Sequence, residues 1–311
     1  MTTGAERTAP RGLASGGTAL PAPGVVVELL KPITWFAPMW AFGCGVISAG
    51  VPVGGRWPLV GLGAALCGPL VCGASQAVND WFDRDVDAIN EPGRPIPSGR
   101  VPGRAGLAIA AGWTVLSLAV ALALGGFVFA ATVLGLAAAW AYSAPPLRLK
   151  RNGWWGNAAC GLCYEGLPWI TGTALMAGRL PDARVLVMAL LYSIGAHGIM
   201  TLNDFKSVEG DRRSGIASLP AALGVAAAAR LACVTMAVPQ AVSVALLAAW
   251  DRPVHAGIVA ALLLAQLALM RRLLASPAER AAWYNATGTS LYVLGMLAAA
   301  FALHGLAGGG P

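Results

Sequence analysis

The sequence predicts an all-α fold, a polytopic membrane bundle of about nine transmembrane helices, and three observations predict it. Charged side chains make up only 11% of the 311 residues, against 57% hydrophobic, whereas a soluble domain carries about a quarter charged. Apolar runs of the length that crosses a bilayer, about 20 residues, recur along the whole chain. Lys and Arg also fall on alternate connections. With the N-terminus inside, 17 of the 21 lie on one side of nine spans, and four, Arg56, Arg179, Arg184 and Arg252, lie on the other. Positive-inside insertion produces that asymmetry, and an even number of spans would break it.

Taken in order, residues 1–24 are rich in Gly, Pro, Ala and Thr, lack an apolar core of signal-peptide length, and read as a flexible cytoplasmic tail. A single intramembrane domain over 25–307 follows. Its first two apolar runs, 25–50 and 57–78, lead into a connection carrying Arg84, Arg94, Arg100 and Arg104. Runs at 104–123 and 127–144 lead to Arg148, Lys150 and Arg151. Runs at 157–177 and 185–203 lead to Lys206, Arg212, Arg213 and Arg230. The last three, 222–249, 254–274 and 284–307, enclose Arg271, Arg272 and Arg280. This composition excludes collagen, coiled coil, disulfide scaffolds and disordered chains. The net charge of +7 is dispersed over short loops, so it serves orientation and not nucleic-acid binding. Six cysteines, at 44, 67, 72, 160, 163 and 233, sit in or beside apolar runs, where Cys packs as a small hydrophobe. Cys160 and Cys163 have redox-motif spacing but lie within a span, which favours packing.

The two longest polar connections, about 80–103 and 204–221, hold most of the acidic residues, both on the inner side and four spans apart. That spacing hints at two related halves, with too little similarity between them to make a repeat. In the first, at about 100° per residue, Gln76, Asn79, Asp80, Asp83 and Asp87 share roughly one quadrant of a helix, and Asp85 points elsewhere. Carboxylates gathered on one face at a membrane boundary repel one another unless a cation holds them. Hard oxygen donors suit Mg²⁺, which bridges carboxylates to substrate phosphates. In the second, if the helix continues, His197, Asp204 and Asp211 recur every seven residues and stay within about 40° of one another. Ser207 lies a little further round, and Glu209 faces away. Two acidic sites at one membrane face form a clamp for a diphosphate. The loop Tyr142-Ser-Ala-Pro-Pro-Leu-Arg-Leu-Lys150-Arg151 on the same side supplies cations for the leaving group.

These residues carry a resemblance. Asn79-Asp-Trp-Phe-Asp-Arg-Asp-Val-Asp-Ala-Ile-Asn-Glu-Pro-Gly-Arg-Pro-Ile-Pro-Ser-Gly99 resembles the Asp-rich motif of UbiA-type intramembrane prenyltransferases, archaeal lipid enzymes included. Two further stretches are more specific, Tyr164-Glu-Gly-Leu-Pro-Trp-Ile-Thr-Gly172 and Gly195-Ala-His-Gly-Ile-Met-Thr-Leu-Asn-Asp-Phe-Lys-Ser-Val-Glu-Gly-Asp211. Within that superfamily they are similar to the chlorophyll and bacteriochlorophyll synthases, over roughly residues 25–305, and the short tail favours the bacterial group.

The resemblance implies a helical bundle around a central cavity. It also implies transfer of a geranylgeranyl or phytyl group from its diphosphate to the propionate of chlorophyllide or bacteriochlorophyllide, in an inner or photosynthetic intracytoplasmic membrane. It assigns Mg²⁺ to Asn79, Asp83, Asp87, Asp204 and Asp211, and the diphosphate to Arg94, Lys150 and Arg151. Asp80, Asp83, Asp204, Asp211 and Lys150 form the catalytic set. The propionate is already ionised at neutral pH, so no general base is needed to make it a nucleophile. His197, Tyr164, Glu165 and Trp169 are candidates for the tetrapyrrole. As a lone intramembrane histidine, His197 is either a bonded core residue or a ligand of the pigment. Trp154 and Trp155 line a macrocycle pocket or belong to the interfacial belt. His255 and His304 receive no role. Competing readings are a prenyltransferase for a quinone precursor or a glycerol-phosphate lipid, a cation-coupled transporter, whose acids belong near the midplane, and a non-catalytic pigment-assembly protein, which would not require both acidic clusters.

Overall fold

The computed structural model describes residues 21–307, so most of the expected 1–24 tail lies outside the described residues. The predicted spans appear as helices in the expected order. Helix α1 (Pro23–Leu29) and a 3₁₀ turn lead into α2 (Phe36–Ser48) through a bend of 59°. Helix α3 (Trp57–Asn90) runs for 34 residues. Next come α4 (Ala105–Leu124), α5 (Gly126–Ser143) and α6 (residues 153–177). Helix α7 (Ala183–Asn203) is followed by two short helices, α8 (Val208–Arg213) and α9 (Leu219–Leu223). The long α10 (Val225–Ala249), α11 (Pro253–Ala275) and α12 (Pro277–Ala307) complete the chain. Among the described residues there is no β-strand, only one bridge between Asn152 and Ala217.

Seven of these helices are long and apolar enough to cross a membrane, and eight if the bent α1–α2 pair counts as one. The remaining predicted span coincides with α6, which is not among them. Its centre is diluted by polar and small residues, Tyr164, Glu165 and Gly166, in a π-turn over Leu162–Gly166. A π-turn adds a residue to the helical repeat and is common at functional positions. A second one, Leu66–Cys72, lies in α3 around Pro69, which has no backbone N–H to contribute.

Helix association in lipid relies on close van der Waals approach. A Cβ on Gly45 of α2 would overlap the Trp169 carbonyl of α6, and one on Gly172 of α6 would overlap the Phe42 carbonyl of α2. The two glycines therefore set this crossing. The core on the far side of α6 joins α2, α7 and α12 through Trp169, Tyr192 and Tyr292. Tyr292 Oη donates to the Tyr192 carbonyl at 2.6 Å, and Trp169 Nε1 donates to Ser48 Oγ at 3.0 Å. All six cysteines are unpaired, four of them buried, consistent with packing roles.

The second polar connection departs from the expected geometry. The helix stops at Asn203, passes through a 3₁₀ turn at Asp204–Lys206, and restarts as α8. Ser207 causes the break locally. Its hydroxyl donates to the Asp204 carbonyl at 3.1 Å and to the Asp211 carboxylate at 2.9 Å, bonds that compete with a continuing helix. The seven-residue face expected for His197, Asp204 and Asp211 therefore does not exist. The connection folds back instead. The Gly153 N–H donates to the Ala217 carbonyl and the Ala217 N–H to the Arg151 carbonyl, each at 2.9 Å. This short ladder pins the second acidic segment to the basic loop.

Candidate functional site

At one end of the bundle both polar connections and the basic loop surround a cavity of about 690 Å³. Its wall includes Asn79, Asp83 and Asp87 from α3, Arg94 from the following turn, Lys150 and Arg151 from the basic loop, and Asp204 and Asp211 from the second segment. Sequence reading placed all eight at one membrane face, and the fold brings them to one space. Deeper in, Ala138, Ala139, Cys160, Cys163 and Tyr164 make a more apolar floor.

The helical periodicity of the first motif holds. Asp83 accepts from Lys150 Nζ at 2.5 Å through Oδ1 and from Asn79 Nδ2 at 3.0 Å through Oδ2, with Arg148 at 3.8 Å. Asp87 accepts from Arg94 Nη1 at 2.8 Å, and the same guanidinium holds Glu91 with Nε and Nη2 at 2.6 and 2.8 Å. Gln76 donates to Tyr164 Oη at 3.1 Å, linking motif to floor. Burial of Lys150 outweighs the neighbouring Asp83 carboxylate and lowers its pKa below the ordinary lysine value.

Asp80 requires a correction. It stands at the edge of the predicted quadrant, where the helix turns away from the cavity, and is only 1% exposed. Lys31 Nζ donates to it at 2.6 Å and Arg94 lies at 3.5 Å. Asp80 does not line the cavity; it stands behind Arg94, which does, and pairs with it and with Lys31. Lys31 itself caps the bend between α1 and α2 with φ of 49°, and the N-terminal segment is tied down again by Arg100 on Glu28.

The second segment is held differently. Asp204 accepts from Asn157 Nδ2 at 3.4 Å, and Asp211 from Ser207 at 2.9 Å and Ser218 at 2.6 Å. These donors are all neutral. Asn157 and Ser218 were missed by sequence reading. An amide inside the apolar run 157–177 was the available signal for Asn157; Ser218 gave none.

The tetrapyrrole candidates separate. Tyr164 lines the cavity. Trp169 does not: it is 0% exposed and packed on Tyr192 with ring centroids 5.7 Å apart, because the π-turn aims it at the α2–α7 interface. Glu165, also buried, has Oε2 without a hydrogen-bond partner and is not part of the wall of this cavity. His197 lies on the other side of α6, in a groove with Trp154 and Trp155.

Among the described residues no three His, Cys, Asp or Glu side chains converge on one point as a closed metal cage. Carboxylates and an amide that face a shared cavity singly or in pairs fit Mg²⁺ nonetheless, since that ion keeps waters and takes further oxygens from substrate phosphates.

Residues 36–292 match the UbiA prenyltransferase family. The chain is 59% identical to the bacteriochlorophyll synthase 33 kDa chain of Cereibacter sphaeroides, over 93% of this chain and 95% of that one. It is 38% identical to the chloroplastic chlorophyll synthase of Arabidopsis thaliana, over 89% and 73%. Its fold is similar to that of a UbiA homologue from Archaeoglobus fulgidus solved with GPP and Mg²⁺, with a TM-score of 0.69 at 19% identity, covering 86% of this chain and 99% of that one. By sequence across most of its length and by fold, this multi-pass membrane protein belongs to the UbiA prenyltransferase family.

Proposed function

We propose that the chain transfers a geranylgeranyl or phytyl group from its diphosphate to the propionate carboxylate of bacteriochlorophyllide or chlorophyllide, the esterification that ends bacteriochlorophyll synthesis. One observation carries the reading. Two acidic motifs and a basic loop converge on a single cavity in a chain similar almost end to end to a bacteriochlorophyll synthase chain.

In the reaction the bond between the allylic carbon and the diphosphate oxygen breaks, the electron pair leaves with diphosphate, and a propionate oxygen bonds to that carbon. Arg94, Lys150 and Arg151 bind the diphosphate, with Lys150 and Arg94 exchanging Asp83 and Asp87 for phosphate oxygens. Asn79, Asp83, Asp87, Asp204 and Asp211 are the groups that would hold Mg²⁺, which when bound neutralises charge building on the leaving group. The apolar floor excludes water from the developing cation, and Tyr164 in that floor is the residue we assign to the acceptor ring. No residue need take a proton from the nucleophile, since the propionate is ionised at neutral pH. The Lys and Arg asymmetry supports a cytoplasmic N-terminus and site and a C-terminus on the opposite side, and the likeness to a bacteriochlorophyll synthase chain supports the inner or photosynthetic intracytoplasmic membrane. Residues 25–307 act as one domain.

The test is an assay of membranes containing the protein, given bacteriochlorophyllide or chlorophyllide, geranylgeranyl diphosphate and Mg²⁺, with esterified pigment read by chromatography. Ester that needs Mg²⁺ and disappears in Asp83→Ala and Asp204→Ala supports the reading. Transfer only to a quinone precursor or a glycerol-phosphate lipid would overturn the acceptor, and transfer to none would overturn the activity.

A further inference from the structure

A second hollow shares a wall with the reaction cavity. Gly156, Asn157 and Cys160 on one face of α6 line the cavity. Trp154, Trp155, Ala158 and Leu162 on its other face line a groove of about 730 Å³, completed by α7 and by Thr235 of α10. Among the described residues no Asp, Glu, Lys or Arg lines this groove. Its hydroxyl groups and the Asn152 amide oxygen are already committed to their own helices. Asn152 accepts from the Trp154 and Trp155 N–H groups, Ser193 donates to the Ala189 carbonyl, and Thr235 donates to the Leu231 and Ala232 carbonyls.

His197 is the exception. It is 8% exposed, its Nδ1 is buried without a hydrogen-bond partner, and its ring lies 5.6 Å from that of Trp154 at 38°. A buried imidazole left unpaired among apolar groups is costly, and one at membrane depth is a candidate for function. The groove therefore offers one histidine in an otherwise largely apolar wall, exposed indole surfaces and no charge.

Those properties select the occupant. A prenyl chain would leave the imidazole unpaired. A bare metal ion would need several more ligands, and an ionised propionate or a diphosphate would meet no cation. A neutral, flat macrocycle whose metal has an open axial position satisfies every feature, with the ring against indole and the metal on imidazole. We propose that this groove holds the esterified magnesium tetrapyrrole after it leaves the reaction cavity, with its central metal ligated by His197. The proposal rests on the reaction assigned above. It makes α6 a partition between the site where the ester forms and a lipid-side site that keeps the product.

The experiment uses the full-length protein in lipid nanodiscs, titrated with the magnesium-containing pigment ester, its unesterified acid and the metal-free ester. Binding is followed by the pigment's visible absorption, which axial ligation shifts. The expected result is that the magnesium ester binds with a shifted band, and that metal-free ester on the wild type and magnesium ester on His197→Phe each bind about tenfold more weakly or worse. Equal binding of the metal-free ester to the wild type would overturn the proposal without relying on any variant. Tighter binding of the free acid than of the ester would also overturn it, making the groove an acceptor site. The esterification assay on the same preparation separates the two levels. Wild type that esterifies pigment but binds it without regard to the metal loses only this proposal, whereas wild type that esterifies neither pigment loses the assigned reaction and this proposal with it.

Discussion

The two acidic segments face the same cavity but are built on opposite electrostatic plans. In the first, an unbroken helix presents Asp83 and Asp87, and each is compensated by a cation, Lys150 at 2.5 Å and Arg94 at 2.8 Å. In the second, a broken helix presents Asp204 and Asp211, each supported by neutral amide or hydroxyl donors. A carboxylate held only by hydroxyl and amide groups has no cation to displace before a metal binds, whereas an ion-paired one must first give up its partner. On the proposed function, the second segment would be the primary metal anchor, and the first a reservoir of cations released onto the diphosphate.

The comparison breaks first if Asp204 is dispensable. Asp204→Asn keeps the shape and removes the charge, and is expected to lower esterification by about 10² to 10³ in kcat, the scale of losing one aligned transition-state contact. A loss below about tenfold in single-turnover kinetics would move the anchor to the first segment. Next in size is Asp80→Asn, which strands Lys31 beside a buried position and takes from Arg94 one of its three carboxylate partners. With about a quarter of each cation's side-chain surface exposed, the expected loss is near the low end of the range for breaking a buried pair, about 3 kcal/mol, read from thermal stability in detergent. Activity at low temperature should fall far less than in Asp204→Asn.

The pH profile sharpens the cation side. Burial lowers the Lys150 pKa, so its ammonium is lost at a lower pH than that of a surface lysine. Activity should fall on the alkaline side below the ordinary lysine range. Lys150→Arg, charged at any accessible pH, should move that limb upward, and an unmoved limb would mean that Lys150 does not carry the diphosphate. The smallest expected effect is Ser218→Ala, which removes one hydroxyl from Asp211. A hydrogen bond to a charged group contributes about 1.5 kcal/mol, so about a tenfold loss in kcat/KM is the upper expectation.

The same contrast explains what sequence could and could not reveal. Asn79, Asp83 and Asp87 were legible because α3 continues unbroken to Asn90, so a fixed angular step carried the argument. That step failed after Asn203, where Ser207 competes for the backbone, and Asp211 reaches the cavity by a fold-back that Gly153 and Ala217 close. Asp80 shared the predicted arc, but an arc does not say which edge meets Lys31. Trp169 reads as a pigment contact because it is aromatic and Glu165 because it is an intramembrane carboxylate, yet residues in and after a π-turn point in different directions, and of the three only Tyr164 lines the cavity. The apolar spans were visible from composition, with the weakest signal in α6, where Asn157, Tyr164, Glu165 and Gly166 dilute the apolar run and which is not among the helices apolar enough to cross a membrane.

The measurement that bears most directly on the two plans is Mn²⁺ binding, as a reporter for Mg²⁺, to purified protein with and without inorganic diphosphate. The account predicts that Asp204→Asn weakens metal binding by about tenfold or more. Lys150→Ala should leave metal affinity without diphosphate unchanged and weaken only the gain that diphosphate brings. Undiminished metal binding by Asp204→Asn, or a loss in Lys150→Ala that does not depend on diphosphate, would contradict the division of labour between the two segments.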